Sequence, residues 1–333
     1  MKEEKVCNRL RELLSDAVER NAAEALLLSG GLDTSILAAV SKDAGSNKLA
    51  LTVSLAGTPA PDLEYSKRMS QKFLYEHHLI SITENEALEE IPEVIKAVGS
   101  FDPALPNDLV IYVALKEAKN FGIESVMTGD GADELFAGYS YMHELSHEEL
   151  NKYIRNISKT MYFSSNKLGN FLGVEIKQPY LDTEIVDFAL DINPGLKVKE
   201  IDGRKYGKWI LRKAYEKELG EVAWREKEAI EFGSGTTKLR DVIRRKIPEA
   251  EFDAKKREYE MEFMNKEHLF FYEIYKQVVG KVPRATSPII KAKERNVCPL
   301  CKAELPENRF HCNICGFSYP IGKYLEENAS SCL

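Results

Sequence analysis

A junction near the N-terminus constrains this chain more than any other feature. The apolar run Ala25-Leu26-Leu27-Leu28 ends abruptly in Ser29-Gly30-Gly31-Leu32-Asp33-Thr34-Ser35, and helical packing resumes at Ile36–Val40. A short continuous apolar run is the pattern of a strand buried on both faces of a parallel sheet. Strand, glycine loop and helix in that order favour an anion. The glycines allow close backbone approach, and the free N–H groups and dipole of the first helical turn attract negative charge. Ser29, Thr34 and Ser35 add hydroxyl donors, and Asp33 adds a carboxylate suited to Mg²⁺. The spacing is not a Walker loop, because no Gly-Lys-Ser/Thr follows four residues after a glycine.

The rest of the first half alternates. Leu49–Leu55, His77–Ile82 and Ser125–Thr128 read as strands, and Lys2–Asn21, Leu63–Phe73, Glu86–Ala97 and Asp108–Asn120 as helices. That order predicts an α/β fold, a parallel sheet flanked by helices with right-handed crossovers. Beyond Tyr139 the pattern is mostly helical to about residue 280, giving a helical C-terminal half. Lys238–Glu267 is dense in both signs of charge, as a solvated helical face is. Lys281–Lys293, with Pro283 and Pro288, reads as a linker. With 333 residues, two domains or one large domain with appendages are expected.

A second loop is as informative. Thr128-Gly129-Asp130-Gly131-Ala132-Asp133-Glu134 crowds three carboxylates at a strand end, which is unfavourable unless a cation or donors compensate. The first loop resembles that of the ATP pyrophosphatases. Together with the second loop, through Leu135-Phe136-Ala137-Gly138-Tyr139, it resembles the synthetase domain of the asparagine synthetases. Gly173-Val174-Glu175 through Pro179-Tyr180-Leu181-Asp182, then Lys208–Arg212, then Trp224–Glu228 agree in order and spacing, over about residues 5–240.

The resemblance implies an adenine nucleotide alpha hydrolase-like sheet and a carbon–nitrogen ligase forming AMP and pyrophosphate. A carboxylate would attack the α-phosphorus of ATP to give an acyl-adenylate, and ammonia or another amine would displace AMP. By similarity, Ser29, Gly30, Gly31, Thr34 and Ser35 would cradle pyrophosphate, while Asp33 and Asp133 would hold Mg²⁺. Leu28, Val53, Thr128 and Gly129 would bracket the adenosine. Lys208 and Lys227 would neutralise phosphate charge, and Asp130 would accept a proton from the attacking amine. Such transfers need charge stabilisation more than covalent help, which suits this set.

Two departures from the family pattern bear on substrate and nitrogen source. Lys2 follows Met1 where glutamine-hydrolysing members carry cysteine. The expectation is a chain without a glutaminase domain, using ammonia, an amine, or ammonia from a separate amidotransferase. Where the family commonly shows arginine before Val-Pro-Phe-Leu-Asp, this chain has Lys177-Gln178-Pro179-Tyr180-Leu181-Asp182, and family arginines are replaced near Ser164 and Pro106. Lysine does not reproduce arginine's planar fork on a carboxylate. Aspartate and other carboxylic acids both stay open as acceptor.

The cysteines divide the chain. None occurs between Cys7 and Cys298, and Cys298-Pro-Leu-Cys301 and Cys312-Asn-Ile-Cys315-Gly316 have zinc-ribbon spacing. Four thiolates from two knuckles can close a tetrahedral Zn²⁺ shell; two disulfides and an iron–sulfur cluster are the alternatives. The expected organisation is a synthetase-like domain at 1–240, a charged extension and linker at 241–293, and a zinc ribbon at 294–320. Lys281, Arg284, Lys291, Lys293, Arg295 and Lys302 make the approach to the ribbon basic, so it could touch RNA or a partner protein; a small docking module for a separate amidotransferase or carrier is the favoured reading.

A net charge of −7 argues against bulk wrapping of nucleic acid. No apolar run approaches the ~20 residues of a membrane span, and the charged N-terminus has no signal core, so a cytoplasmic location is expected. A tRNA-modifying thiolase of the same superfamily and a non-catalytic ATP-binding regulator are the competing readings. The cysteine-free middle counts against the thiolase.

Overall fold

The computed structural model describes residues 3–43, 49–259, 261–283, 297–305 and 311–319. Contacts divide the chain into two compact units, one of residues 1–81 and 111–235, the other of 82–110 and 236–333.

The first unit is built on a five-stranded sheet, β1 Ala25–Leu27, β2 Leu49–Leu55, β3 Glu76–Ile82, β4 Ser125–Met127 and β5 Glu175–Lys177, in the order β3-β2-β1-β4-β5. The pairs β1–β2, β1–β4 and β4–β5 are parallel, so the expected parallel α/β sheet is present. Ala25 and Leu26 are fully buried, as a central strand covered on both faces requires.

The helices of the first half are α1 Glu3–Arg20, α2 Leu32–Asp43, α3 Asp62–Phe73, α4 Glu84–Val98, α5 Leu105–Asn120 and α6 Ala132–Phe136. After them come α7 His147–Ile157, α8 Ser164–Leu172, α9 Thr183–Asp191 and α10 Trp209–Leu219. Val6, Leu10, Leu13, Leu14 and Val18 form one buried stripe on α1. It joins α2, α9, α10 and the ends of β1 and β4 in a single core.

Among the described residues the chain from Tyr139 to about residue 280 is mostly helical, and strands interrupt it. β5 completes the sheet, and β6 Lys199–Ile201 pairs antiparallel with β7 Arg204–Tyr206. Asp202 and Gly203 make the hairpin turn with φ of 51° and 77°, the conformation a two-residue turn with two positive φ values needs.

In the second unit α4 opens with a capping box. Thr83 accepts from the Glu86 N–H, and the Glu86 carboxylate accepts from the Thr83 N–H. α4 packs on helix Lys266–Val278. Phe101 sits among the rings of His268, Tyr272 and Tyr275 at 5.0–5.2 Å. The second cysteine knuckle rests on the segment after α4: the Phe101 N–H donates to Ile314 O at 2.8 Å and Ser100 Oγ to the same oxygen at 3.1 Å. His311 Nε2 lies 3.2 Å from Asp102 Oδ2. Gly316 is at φ 75°, and a Cβ there would overlap the Asp102 carboxylate. Arg284, Lys291, Lys293, Arg295 and the ribbon residues 306–310 lie outside the described residues.

Candidate functional site

The chain runs β1, β2, β3 to one side of the sheet and then returns to β4 and β5 on the other. The order therefore reverses between β1 and β4. In parallel sheets a crevice opens beyond the carboxyl ends of the strands at such a point. Both loops singled out in the sequence lie there, Ser29–Ser35 after β1 and Thr128–Tyr139 after β4.

The first loop is held by its own hydroxyls. The Gly31 N–H donates to Ser29 Oγ at 3.2 Å, Ser29 Oγ and Thr34 Oγ1 are 3.2 Å apart, and Ser35 N–H donates to Gly31 O at 3.0 Å. Gly30, at φ 73°, lies directly against the backbone of Tyr65 and Ser66, where no Cβ would fit. Gly129 of the second loop packs on Asp33 and Thr34, bringing the loops into contact. Leu28 and Val53 are buried, and the Leu28 N–H donates to Leu51 O at 2.9 Å.

Asp33 and Asp133 converge on one ammonium. Lys208 Nζ lies 2.6 Å from Asp33 Oδ2 and 2.6 Å from Asp133 Oδ1. Lys227 Nζ reaches Asp133 Oδ2 at 2.5 Å and sits 4.2 Å from the centroid of the Tyr139 ring. Burial pushes the Asp33 carboxyl above its usual value, and the Asp133 charge adds to this against the pull of Lys208. Burial also acts upward on Asp133, but Lys208 and Lys227 outweigh it and hold that carboxyl down, at about 2. Lys208 is 4% exposed. Burial disfavours its charge, yet Asp133 and Asp33 together raise its proton affinity.

The backbone is strained to achieve this. Lys208 has φ 54° and Ala137 φ 58°, both left-handed and neither glycine. The Lys208 N–H donates to Phe136 O at 2.9 Å, and the Gly138 N–H to Asp133 O at 2.8 Å. A Cβ on Gly138 would overlap Asp133 and Lys208.

Four residues with no role assigned from sequence complete the site. Arg212 is buried and donates to the carbonyls of Gly207, Ala223 and Arg225 at 2.6–2.9 Å, fixing the turn that carries Lys208 to the segment that carries Lys227. Arg225 donates to Gly30 O at 3.3 Å and to Asp62 Oδ1 at 2.8 Å. Tyr139 donates to Glu134 Oε1 at 2.6 Å while its ring supports Lys227. Tyr180 donates to Asp33 O at 3.0 Å. All four fall within the quoted stretches, but only the folded chain shows what they touch. A cavity of about 410 Å³ opens beside Lys208, Arg212, Arg225 and Lys227, walled in part by Tyr139 and Trp224.

Asp130 takes its hydrogen bonds only from neutral donors among the described residues. Lys177, at the position where an arginine was expected, is tied to Glu175 Oε1 at 2.6 Å.

Two acid-bearing loops thus meet at a strand-order reversal, with the buried Lys208 between Asp33 and Asp133 and the more exposed Lys227 beside Asp133. The asparagine synthase family model matches residues 9–162 and 146–279. The chain belongs to the asparagine synthase family. Asparagine synthetase B [glutamine-hydrolyzing] of Escherichia coli (strain K12) is 31% identical over 253 residues, 68% of this chain and 45% of that protein. A probable asparagine synthetase of Dictyostelium discoideum is 31% identical over 264 residues, 70% and 47% respectively. The chain thus spans less than half the length of these relatives. The NMN synthetase structure from Francisella tularensis is 18% identical at a TM-score of 0.30, over 71% of this chain and 94% of that one.

In the second unit the four thiols meet. Cys298, Cys301, Cys312 and Cys315 are buried, with their sulfurs all within 4.8 Å of one another. Cys298 and Cys315 Sγ are 3.5 Å apart and Cys301 and Cys312 Sγ 3.7 Å, too far for disulfides, and all four are free. Zn–S bonds of about 2.3 Å in a tetrahedron give sulfur–sulfur edges of about 3.8 Å, so the set fits one zinc ion.

Proposed function

We propose that this chain is an ATP- and Mg²⁺-dependent amide-forming ligase. It activates a carboxylate as an acyl-adenylate, releasing pyrophosphate, and transfers the acyl group to ammonia or another amine with release of AMP. The observation that carries this reading is Lys208 shared between Asp33 and Asp133, with Lys227 on the far side of Asp133.

Asp33 Oδ1 and the Ser35 hydroxyl are buried without a hydrogen-bond partner among the described residues. Buried polar atoms are rarely left unpaired. An oxygen-seeking cation beside Asp33 and Asp133, and a phosphate oxygen on Ser35, would satisfy both. Bound Mg²⁺ would supply charge neutralisation at the phosphates. The chain's own residues do the rest. Ser29, Thr34, Ser35 and the loop amides cradle pyrophosphate, and Leu28, Val53, Thr128 and Gly129 bracket adenosine. Lys208 and Lys227 offset the charge that builds on the leaving pyrophosphate. Asp130 takes the proton of the attacking amine.

Zinc in the ribbon is structural in this reading, and residues 294–320 form a docking module for an amidotransferase or carrier. The protein works in the cytoplasm on small molecules. Aspartate to asparagine is the first reaction to test. Purified protein is incubated with ATP, Mg²⁺, aspartate and ammonium, and AMP, pyrophosphate and asparagine are assayed. AMP formed only with another acid keeps the mechanism and rejects aspartate. No turnover across a broad panel of acids rejects the ligase in favour of an ATP-binding regulator.

A further inference from the structure

The second loop carries two very different carboxylates. Asp133 is gripped by two ammonium groups, whereas Asp130 is clasped by neutral donors on one oxygen. Thr128 Oγ1 donates to Asp130 Oδ2 at 2.6 Å, Ser165 Oγ at 2.6 Å and Gln178 Nε2 at 2.9 Å. None of the three falls on Oδ1. The donors come from three places, the end of β4, the first turn of α8 and the residue after β5.

The clasp has a direction. Asn166 Nδ2 donates to Gln178 Oε1 at 3.2 Å, which turns the amide so that its nitrogen faces Asp130. Gln178 Nε2 also lies 3.3 Å from Ser165 Oγ, so this hydroxyl accepts from Gln178 and gives its single proton to Asp130. Ser165 is 1% exposed, and the order of donors is fixed by packing rather than by solvent. A chain of hydrogen bonds oriented in this way polarises each member and holds the last acceptor rigidly.

We propose that Ser165 and Gln178 are positioning residues for the amide-forming step. They immobilise Oδ2 of Asp130 and so present Oδ1 as the oxygen that takes the proton. The proposal rests on the ligase reading above. In that step the nitrogen lone pair forms a bond to the acyl carbon. The carbon–oxygen bond to AMP breaks, its electron pair leaves on the phosphate oxygen, and one N–H proton passes to Oδ1. Neutral donors suit this role because they orient the carboxylate without cancelling its charge, as the lysines do for Asp133. The first step, attack on ATP, moves no proton onto Asp130 and does not need the clasp.

The two half-reactions therefore separate the proposal from a merely structural role. In the full chain, Ser165→Ala, Gln178→Leu and the double variant are compared with wild type and with Asp130→Asn. Carboxylate-dependent ATP–pyrophosphate exchange is measured over a panel of carboxylic acids beginning with aspartate, and amide formation is measured with ammonium. The expected result is exchange, and a KM for ATP, within about twofold of wild type, while kcat for amide formation falls about 10- to 100-fold, a fraction of what a general base contributes. With hydroxylamine, whose adduct loses its proton more readily, the loss is smaller. Equal falls in both half-reactions, or an unchanged amide rate with ammonium, overturn the proposal and leave the ligase reading intact. Wild type that shows no exchange with any acid overturns that reading, and this one with it.

Discussion

Lys208 Nζ stands 2.6 Å from Asp33 Oδ2, closing a contact between residues 175 positions apart in the chain. Without this contact, and the equal one that the same ammonium makes with Asp133, Asp33 would lose its ion-pair partner and Asp133 would keep Lys227 alone. Removing one partner of a buried charge cluster is costly, roughly 3–5 kcal/mol, because the remaining charges stay buried. Lys208→Ala is expected to lower ATP–pyrophosphate exchange by at least ~100-fold, the scale of losing a major electrostatic contact to the transition state. It also removes the charge that pulls the Asp33 proton affinity down, so any residual exchange moves to higher pH. Wild-type exchange in the variant would sink the assignment of the site.

Lys227 is more exposed than Lys208, and its loss should spare the fold. Lys227→Ala is expected to abolish exchange or amide formation with a melting temperature close to wild type. Tyr139→Phe keeps the ring beneath the ammonium and loses only the hydrogen bond to Glu134. It should retain more activity than Tyr139→Leu, and steady-state kinetics of the pair check the order.

Gly138 tests the packing of the site without touching its charges. A Cβ there meets the Asp133 carboxylate and Lys208 Cε. Gly138→Ala should destabilise by about 1–3 kcal/mol, as overpacking does, and lower exchange far more than that loss of folded protein explains. Parallel melting and exchange measurements separate the two.

The dependence on pH has a residue to watch in His77. Its ring bridges Thr52 Oγ1 at 2.8 Å and Ser70 Oγ at 3.0 Å. Burial, with help from Lys67 and His78, pushes it down to about 4. The folded state therefore binds fewer protons than the unfolded chain, whose histidine titrates near ~6.5. This contribution to stability is complete above that value and is lost as pH falls towards 4. Allowing for partial exposure, about 1–2 kcal/mol is at stake. The drop in melting temperature between pH 7 and pH 5 should be smaller in His77→Asn than in wild type, whatever the variant's absolute stability.

For the ribbon, purified protein should carry about one zinc per chain, as a single four-thiolate site holds one ion. Cys301→Ser or a chelator should remove it. Because the Phe101 N–H donates to Ile314 O beside the second knuckle, its hydrogen exchange should accelerate when the metal is lost. Protection unchanged after complete zinc removal would show that the cysteines do not hold the ribbon on that segment.

The short apolar run at Ala25–Leu28 was readable as a strand because burial on both faces favours apolar side chains, and β2 falls on the residues expected, although Thr52 and Ser54 are buried within it. β5 was not readable. Glu175-Ile176-Lys177 has one apolar side chain, and it is a strand because Ser125, Val126 and Met127 offer it partners. The hairpin of β6 and β7 did carry a signal, Asp202-Gly203 between two polar runs, but neither strand alternates. In the site, the acids and lysines were named from motif context. Ser165 lay outside every quoted stretch, and Gln178, Tyr139 and Arg225 lay within them without a role, since a serine on a helix or a glutamine after a short strand acquires meaning only from what the fold brings within about 3 Å.

The left-handed backbone at Lys208 has an implication for how this chain can vary. Glycine would adopt that φ more easily than lysine does, by about 1–2 kcal/mol, but would take from Asp33 and Asp133 the ammonium they share. Position 208 is therefore a point of conflict between a strained turn and two buried acids, and the lysine is held in place as long as both acids are there. A sequence library selected for heat resistance alone should exchange Lys208 only together with Asp33 or Asp133, while one selected for product should keep all three.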